Sequence, residues 1–216
     1  MERSYIANVK LGARNKVQGF VENIRNKSKI AFIVVKDITG KIQVTIDKEK
    51  NPVLATDIDA LTLQSVITVE GDVIENSYVK LNGMEMLPDT LEIHSIAEPL
   101  PIQKDSAIDL KMDYRWIDLR TDENTLIFKI QTYMLKVIRD FLIEQNFLEI
   151  HSPKLIGAAS ESGADVFELK YFDKKAYLSQ SPQFYKQMAM ASGLDRIFEI
   201  GPVFRAEKSY TSKHTT

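Results

Sequence analysis

The sequence has 216 residues, seven prolines, nine glycines and no cysteine, enough for one large domain or two small ones. A composition of 44% hydrophobic and 27% charged residues excludes disordered and collagen-like classes, and the missing cysteines exclude a disulfide framework, thiolate metal ligation and a cysteine nucleophile. Net charge is −2 but uneven: residues 1–50 hold eleven Lys/Arg against five Asp/Glu, and residues 51–105 hold two against ten, so one face of an N-terminal domain could attract phosphate.

The elements of the first part read as short strands rich in Val, Ile, Thr and Phe: 19–24, 30–37, 41–46, 65–76 and 90–98, with a short helix over 54–61. Five strands with a helix after the third fit a small closed Greek-key barrel of the OB type. Such barrels commonly bind single-stranded nucleic acid, although fold alone does not give function. Side-chain alternation sharpens the expectation. Ile42, Val44 and Ile46 share one face of their strand, so Gln43 points outward if that face lines the core. The strand 30–37 is apolar on both faces, and Phe32 is the candidate for an outward aromatic. With Arg25 just before the turn, a basic group, an aromatic platform and an amide meet the needs of an unstacked base. The plainer alternative leaves Phe32 in the core and Gln43 as a solvated strand residue.

Residues 98–120, opened by two prolines and rich in charge, read as an inter-domain hinge. The next segment, 122–146, sets Leu126, Ile127, Ile130, Met134, Val137, Ile138, Phe141 and Leu142 at helical spacing, with Asp122 or Asn124 as the cap. A short strand over 147–153 stops at Pro153, a helix covers 183–193 with Gly193 as its stop, and 196–207 alternates like a strand crossing a sheet. The second part is therefore α+β, with an antiparallel sheet. The expected division is an OB-fold domain over 1–104, a hinge over 105–121 and a second domain over 122–216. Three separated histidines, His94, His151 and His214, give no histidine-rich metal centre, no apolar run spans a membrane, and the N-terminus lacks a signal-peptide core; the expected setting is cytoplasmic.

RWIDLR (115–120), LEIHSPKL (148–155), ESGADVF (161–167), QSPQFYKQ (180–187) and GPVFRAEKSYTSKHTT (201–216) occur in that order. With these motifs the chain resembles the archaeal-type aspartyl-tRNA synthetases, class II enzymes that begin with an anticodon-reading OB barrel. The resemblance covers nearly the whole chain. It implies a multidomain α+β protein whose second domain is the first part of an antiparallel-sheet catalytic domain, with the first two class motifs and without the third. It implies ATP-dependent activation of L-aspartate and transfer to tRNA, with Mg²⁺ ligands expected beyond this chain and no metal site within it. About half of a typical member would be missing, so the 216 residues alone are expected to be inactive.

The resemblance also implies residue roles. Arg205 would hold the ATP α-phosphate and the substrate carboxylate, Glu207 would contact adenosine, and Lys213 and His214 would meet the triphosphate. Arginine is usual at 213, and lysine offers only a point charge there. Glu161 would accept the aspartate ammonium, Lys186 would pair with its side-chain carboxylate, and Gln183 would bond beside it. Arg25, Phe32 and Gln43 keep the family's spacing for reading the anticodon. Glu22 stands where members often have Trp or His, a position that bears on charging tRNA-Asp alone or tRNA-Asn as well. Partners would be tRNA, L-aspartate, ATP and a second copy of the chain, with no DNA and no membrane. Asparaginyl-tRNA synthetase and a non-catalytic tRNA-binding paralogue are the alternatives.

Overall fold

The structure is a computed structural model that describes residues 2–158 and 166–206. The chain divides into two compact units at Asp118/Leu119.

The first unit is a closed barrel of five strands: β1 (Arg14–Asn26), β2 (Ile30–Lys36), β3 (Lys41–Asp47), β4 (Val66–Glu75) and β5 (Met84–Ser95), in the order β1-β2-β3-β5-β4. Every pairing is antiparallel except β3 with β5. This is the OB-fold. Strand alternation sends Ile33 and Val35, Ile42, Val44 and Ile46, Ile67 and Val69, and Met86 inward, each at most 1% exposed. Helix α1 (Pro52–Ala60) adds Leu54 and Ile58 to this core. Each such side chain contributes about 1.5–3 kcal/mol of burial, which favours barrel closure over an open sheet.

One long strand closes the barrel. The first half of β1, from Arg14 to Phe20, pairs with β4, and the second half, from Phe20 to Asn26, pairs with β2. The strand turns the corner at Gly19, where an added Cβ would lie 2.3 Å from the Lys36 carbonyl oxygen. The sequence pattern predicts this strand only from residue 19, short of its first half. Asp37 fastens the N-terminal 3-10 turn (Ile6–Asn8) to the barrel: its carboxylate accepts from the Ile6 N–H at 2.8 Å, the Thr39 N–H at 2.7 Å and the Gly40 N–H at 2.9 Å. Burial alone would raise its pKa, but hydrogen bonds from Thr39, Ile6 and Gly40 outweigh burial and hold it below the ordinary value.

Two short helices, α2 (Ile108–Asp113) and α3 (Arg115–Asp118), lie in the stretch read as a hinge. Asp118, nearly buried, accepts from Arg115 at 2.5 Å.

The second unit opens with α4 (Asp122–Glu144), whose cap is Thr121 rather than Asp122 or Asn124; its hydroxyl accepts the Asn124 N–H at 3.4 Å. Then come β6 (Leu148–Glu149), β7 (Leu155–Ile156), β8 (Glu168–Tyr171), β9 (Lys174–Leu178), α5 (Gln183–Ala191) and β10 (Ile197–Phe198). The pair β6–β10 is parallel, and β7-β9-β8 is antiparallel. Gly193, at φ +100°, ends α5 as predicted. The alternating run 196–207 forms a strand only at Ile197–Phe198 among the described residues, because Gly201-Pro202 interrupts pairing. No helix among the described residues is long and apolar enough to cross a membrane.

Candidate functional site

On the outer face of the barrel, register gathers Arg25, Phe32, Gln43 and Glu85, with Thr45 among them. Arg25 pairs with Phe32 across β1–β2, Phe32 with Thr45 across β2–β3, and Gln43 with Glu85 across β3–β5. Their strand neighbours Ile33, Val44 and Met86 fill the core, so these four side chains and Thr45 face away from it. The Arg25 guanidinium carbon lies 5.1 Å from the Phe32 ring centroid, and Arg25 Nη2 donates to Gln43 Oε1 at 3.3 Å. Phe32 is half-exposed and Arg25 exposed.

Gln43 is only 8% exposed because a polar network covers it. Its Nε2 donates to Thr45 Oγ1 at 3.2 Å and to Glu85 Oε2 at 3.3 Å. The Thr45 hydroxyl donates to the same carboxylate, and Asn76 Nδ2 donates to Glu85 Oε1 at 2.7 Å. Residue type in the sequence singles out Arg25, Phe32 and Gln43, whereas Glu85 is one of ten acids in the acidic stretch. Only the parallel β3–β5 register sets Glu85 beside Gln43. Nearby, Glu22 pairs with Lys41 at 2.8 Å and Lys36 at 3.7 Å. The cluster offers an aromatic face, a fork of donors and an amide, suited to stacking and edge-reading a base.

In the second unit, backbone hydrogen bonds connect three segments. Ser179 donates its N–H to the Lys154 carbonyl at 2.9 Å, and its own carbonyl accepts the Phe204 N–H at 2.9 Å. Arg205 therefore stands one residue from a fixed contact with the segment that leads into α5. Gln183 opens α5, and Lys186 follows a turn later, with its N–H on the Pro182 carbonyl at 3.0 Å. Gln183 and Arg205 are exposed, and Lys186 is half-buried. Among the described residues no hydrogen bond joins the side chains of Gln183, Lys186 and Arg205. Glu161, Glu207, Lys213 and His214 lie outside the described residues.

Beneath Arg205's segment, Lys154 and Ser152 hold Glu199, whose side chain is 2% exposed. Burial would raise the Glu199 pKa, but the bonds from Lys154 and Ser152 prevail and lower it, so the carboxylate stays charged. Among the described residues no group of three or more His, Asp or Glu is placed to hold a metal ion.

Comparison with known proteins agrees with both halves. Residues 16–94 match the OB-fold nucleic acid binding domain of anticodon-binding type, and residues 107–215 match the tRNA synthetases class II (D, K and N). The chain is 42% identical to the aspartate–tRNA(Asp) ligase of Picrophilus torridus over 98% of its length, covering 51% of that protein. It is 41% identical to the aspartate–tRNA(Asp/Asn) ligase of Aeropyrum pernix over 94% of its length, covering 47%. An asparaginyl-tRNA synthetase from Pyrococcus horikoshii complexed with asparaginyl-adenylate superposes with a TM-score of 0.91 at 32% identity, over 99% of this chain and 50% of that one. The aspartyl-tRNA synthetase from Entamoeba histolytica gives 0.77 at 26% identity, over 99% and 48%. The chain spans about half the length of the curated relatives it matches. With a barrel of anticodon-binding type ahead of a second unit that matches the synthetase model, the chain belongs to the class II tRNA synthetases of the D, K and N group.

Proposed function

We propose that this chain serves an aspartate–tRNA ligase of the cytoplasm, binding the anticodon on its barrel and aspartate and ATP on its second unit. The reaction joins the α-carboxylate of L-aspartate to the α-phosphorus of ATP with release of pyrophosphate. The tRNA 3′ hydroxyl then takes the aspartyl group from the adenylate, releasing AMP. Neither step needs a covalent bond to the protein; both need two anions held in line and developing phosphoryl charge stabilised. Arg205 has the planar fork for the α-phosphate and the reacting carboxylate. Lys186 supplies the cation for the substrate's side-chain carboxylate, with Gln183 beside it; Glu161 would take the ammonium, and Glu207, Lys213 and His214 the nucleotide. Mg²⁺ would add charge neutralisation on the triphosphate. The described residues contain no carboxylate cluster that fits it.

The observation that supports this reading most is the Arg25–Phe32–Gln43 cluster on a barrel of anticodon-binding type. Filter binding of an anticodon stem-loop to the 216-residue chain tests it. Phe32→Ala is expected to weaken binding about tenfold or more, the loss of one stacked base. Equal affinity would remove the stacking role.

Asparagine is the second reading, favoured by the likeness to the Pyrococcus horikoshii asparaginyl enzyme. Lys186 favours aspartate, because a half-buried cation facing a neutral amide would go unpaired. Whether tRNA-Asn is charged as well turns on the surroundings of Glu22. A second copy of the chain is the proposed partner of α4, whose apolar stripe is exposed.

A further inference from the structure

We infer that Glu85 is a positioning residue that fixes which way round the Gln43 amide is held, so that Gln43 offers a bound base an acceptor and nothing else. This deepens the anticodon-reading role proposed for the barrel and rests on it.

The chemistry of the network permits one orientation. An amide nitrogen carries two protons and no acceptor, and an amide oxygen the reverse. Both Gln43 Nε2 protons are taken, one by Thr45 Oγ1 at 3.2 Å and one by Glu85 Oε2 at 3.3 Å. Thr45 gives its own proton to Glu85, which leaves its lone pairs free to accept from Gln43. Asn76 holds the other carboxylate oxygen at 2.7 Å. Turning the amide over would set Oε1 against the carboxylate and Nε2 against the Arg25 guanidinium. At 8% exposure water does not relieve either conflict. What remains open on Gln43 is one lone pair of Oε1, beside the Arg25 donors 3.3 Å away.

An acceptor next to a donor fork suits a base whose pairing edge has a ring N–H flanked by a carbonyl. Uracil and guanine have that edge. Cytosine and adenine present a bare ring nitrogen there, lone pair against lone pair. Glu85 reaches this outcome through Gln43, since its own oxygens are already engaged.

The test uses the 216-residue chain and four anticodon stem-loops that differ only in the middle anticodon base. Wild type is expected to bind the uracil loop at least about tenfold tighter than the cytosine loop, the discrimination of one well-made base contact. Glu85→Ala frees the amide to turn and is expected to bring that ratio within about threefold. Glu85→Gln keeps a carbonyl for Gln43 and is expected to preserve the ratio. Gln43→Glu places oxygen against oxygen and is expected to lose binding, while Gln43→Glu with Glu85→Gln regains it. Melting temperatures identify the folded variants. A folded Glu85→Ala that keeps the wild-type ratio overturns the inference, as does a double variant no better than Gln43→Glu alone. If Phe32→Ala binds like wild type, the anticodon reading itself fails and takes the inference with it.

Discussion

Asp37 accepts the Ile6 backbone N–H at 2.8 Å, a contact between residues thirty-one positions apart that seats the buried Ile6 on the barrel. The same carboxylate closes the β2–β3 turn through Thr39 and Gly40. Its pKa is lowered in the folded chain, so its charge stabilises the fold fully above the ordinary carboxylate value of 3.8. That contribution disappears as pH falls through the depressed folded value. Denaturant unfolding of the chain followed from pH 7 downward is expected to show stability declining below about pH 4–5, with a shallower decline in Asp37→Asn. At pH 7, Asp37→Asn is expected to cost about 2 kcal/mol, because an amide serves fewer of the converging N–H groups. An unchanged acid slope would contradict this assignment.

Gly71 and Gly12 separate two reasons for glycine. A Cβ on Gly71 would lie 2.0 Å from the Leu87 carbonyl oxygen and 2.7 Å from Pro88 Cα, at the β4–β5 bulge. Gly12 has φ +71° and open space around it. Gly71→Ala is expected to destabilise the barrel by about 3 kcal/mol through backbone displacement. Gly12→Ala should cost only about 1 kcal/mol of conformational strain. Thermal unfolding of the two variants compares them directly, and equal losses would show that β4 and β5 can move apart cheaply.

Along α4, Ile127, Ile130, Met134, Val137, Ile138 and Phe141 form an exposed stripe, from 43% to 61% exposed. Residues spaced by three and four along a helix share a side, so one continuous strip of apolar surface is presented. With a second copy as the proposed partner, sedimentation velocity at micromolar concentration should show wild type as a dimer and Phe141→Asp as a monomer. A dimer that survives Phe141→Asp would place the interface elsewhere.

Alternation of β-branched residues made the barrel readable, since Ile33, Val35, Ile42, Val44 and Ile46 each occupy the side that alternation assigns. The first half of β1 was hidden because Asn15, an inward polar residue, breaks the pattern. Its amide is satisfied locally by Lys10 and Ala13 carbonyls at 2.9 and 2.7 Å. The start of β5 was hidden by Pro88, which a strand tolerates here because it faces Gly71 at a bulge. In the second unit the helices were legible from their period. Of the strands, the runs 147–153 and 196–207 locate β6 and β10 but not their two-residue extent or parallel pairing, and β7, β8 and β9 are too short to leave a clear periodic signal. At the barrel cluster, residue type pointed to Arg25, Phe32 and Gln43. Glu85 emerged only when distant strands were laid side by side.

Ser179 is fully buried and uses its backbone in both directions, toward Lys154 and toward Phe204. Neither of these two bonds involves a side chain of α5. Under the proposed reading, exchanges along that helix would retune which small molecule is admitted while the backbone that carries Arg205 keeps its anchor at Phe204. Substrate choice and phosphate chemistry, as proposed, would then be separately evolvable on one short scaffold.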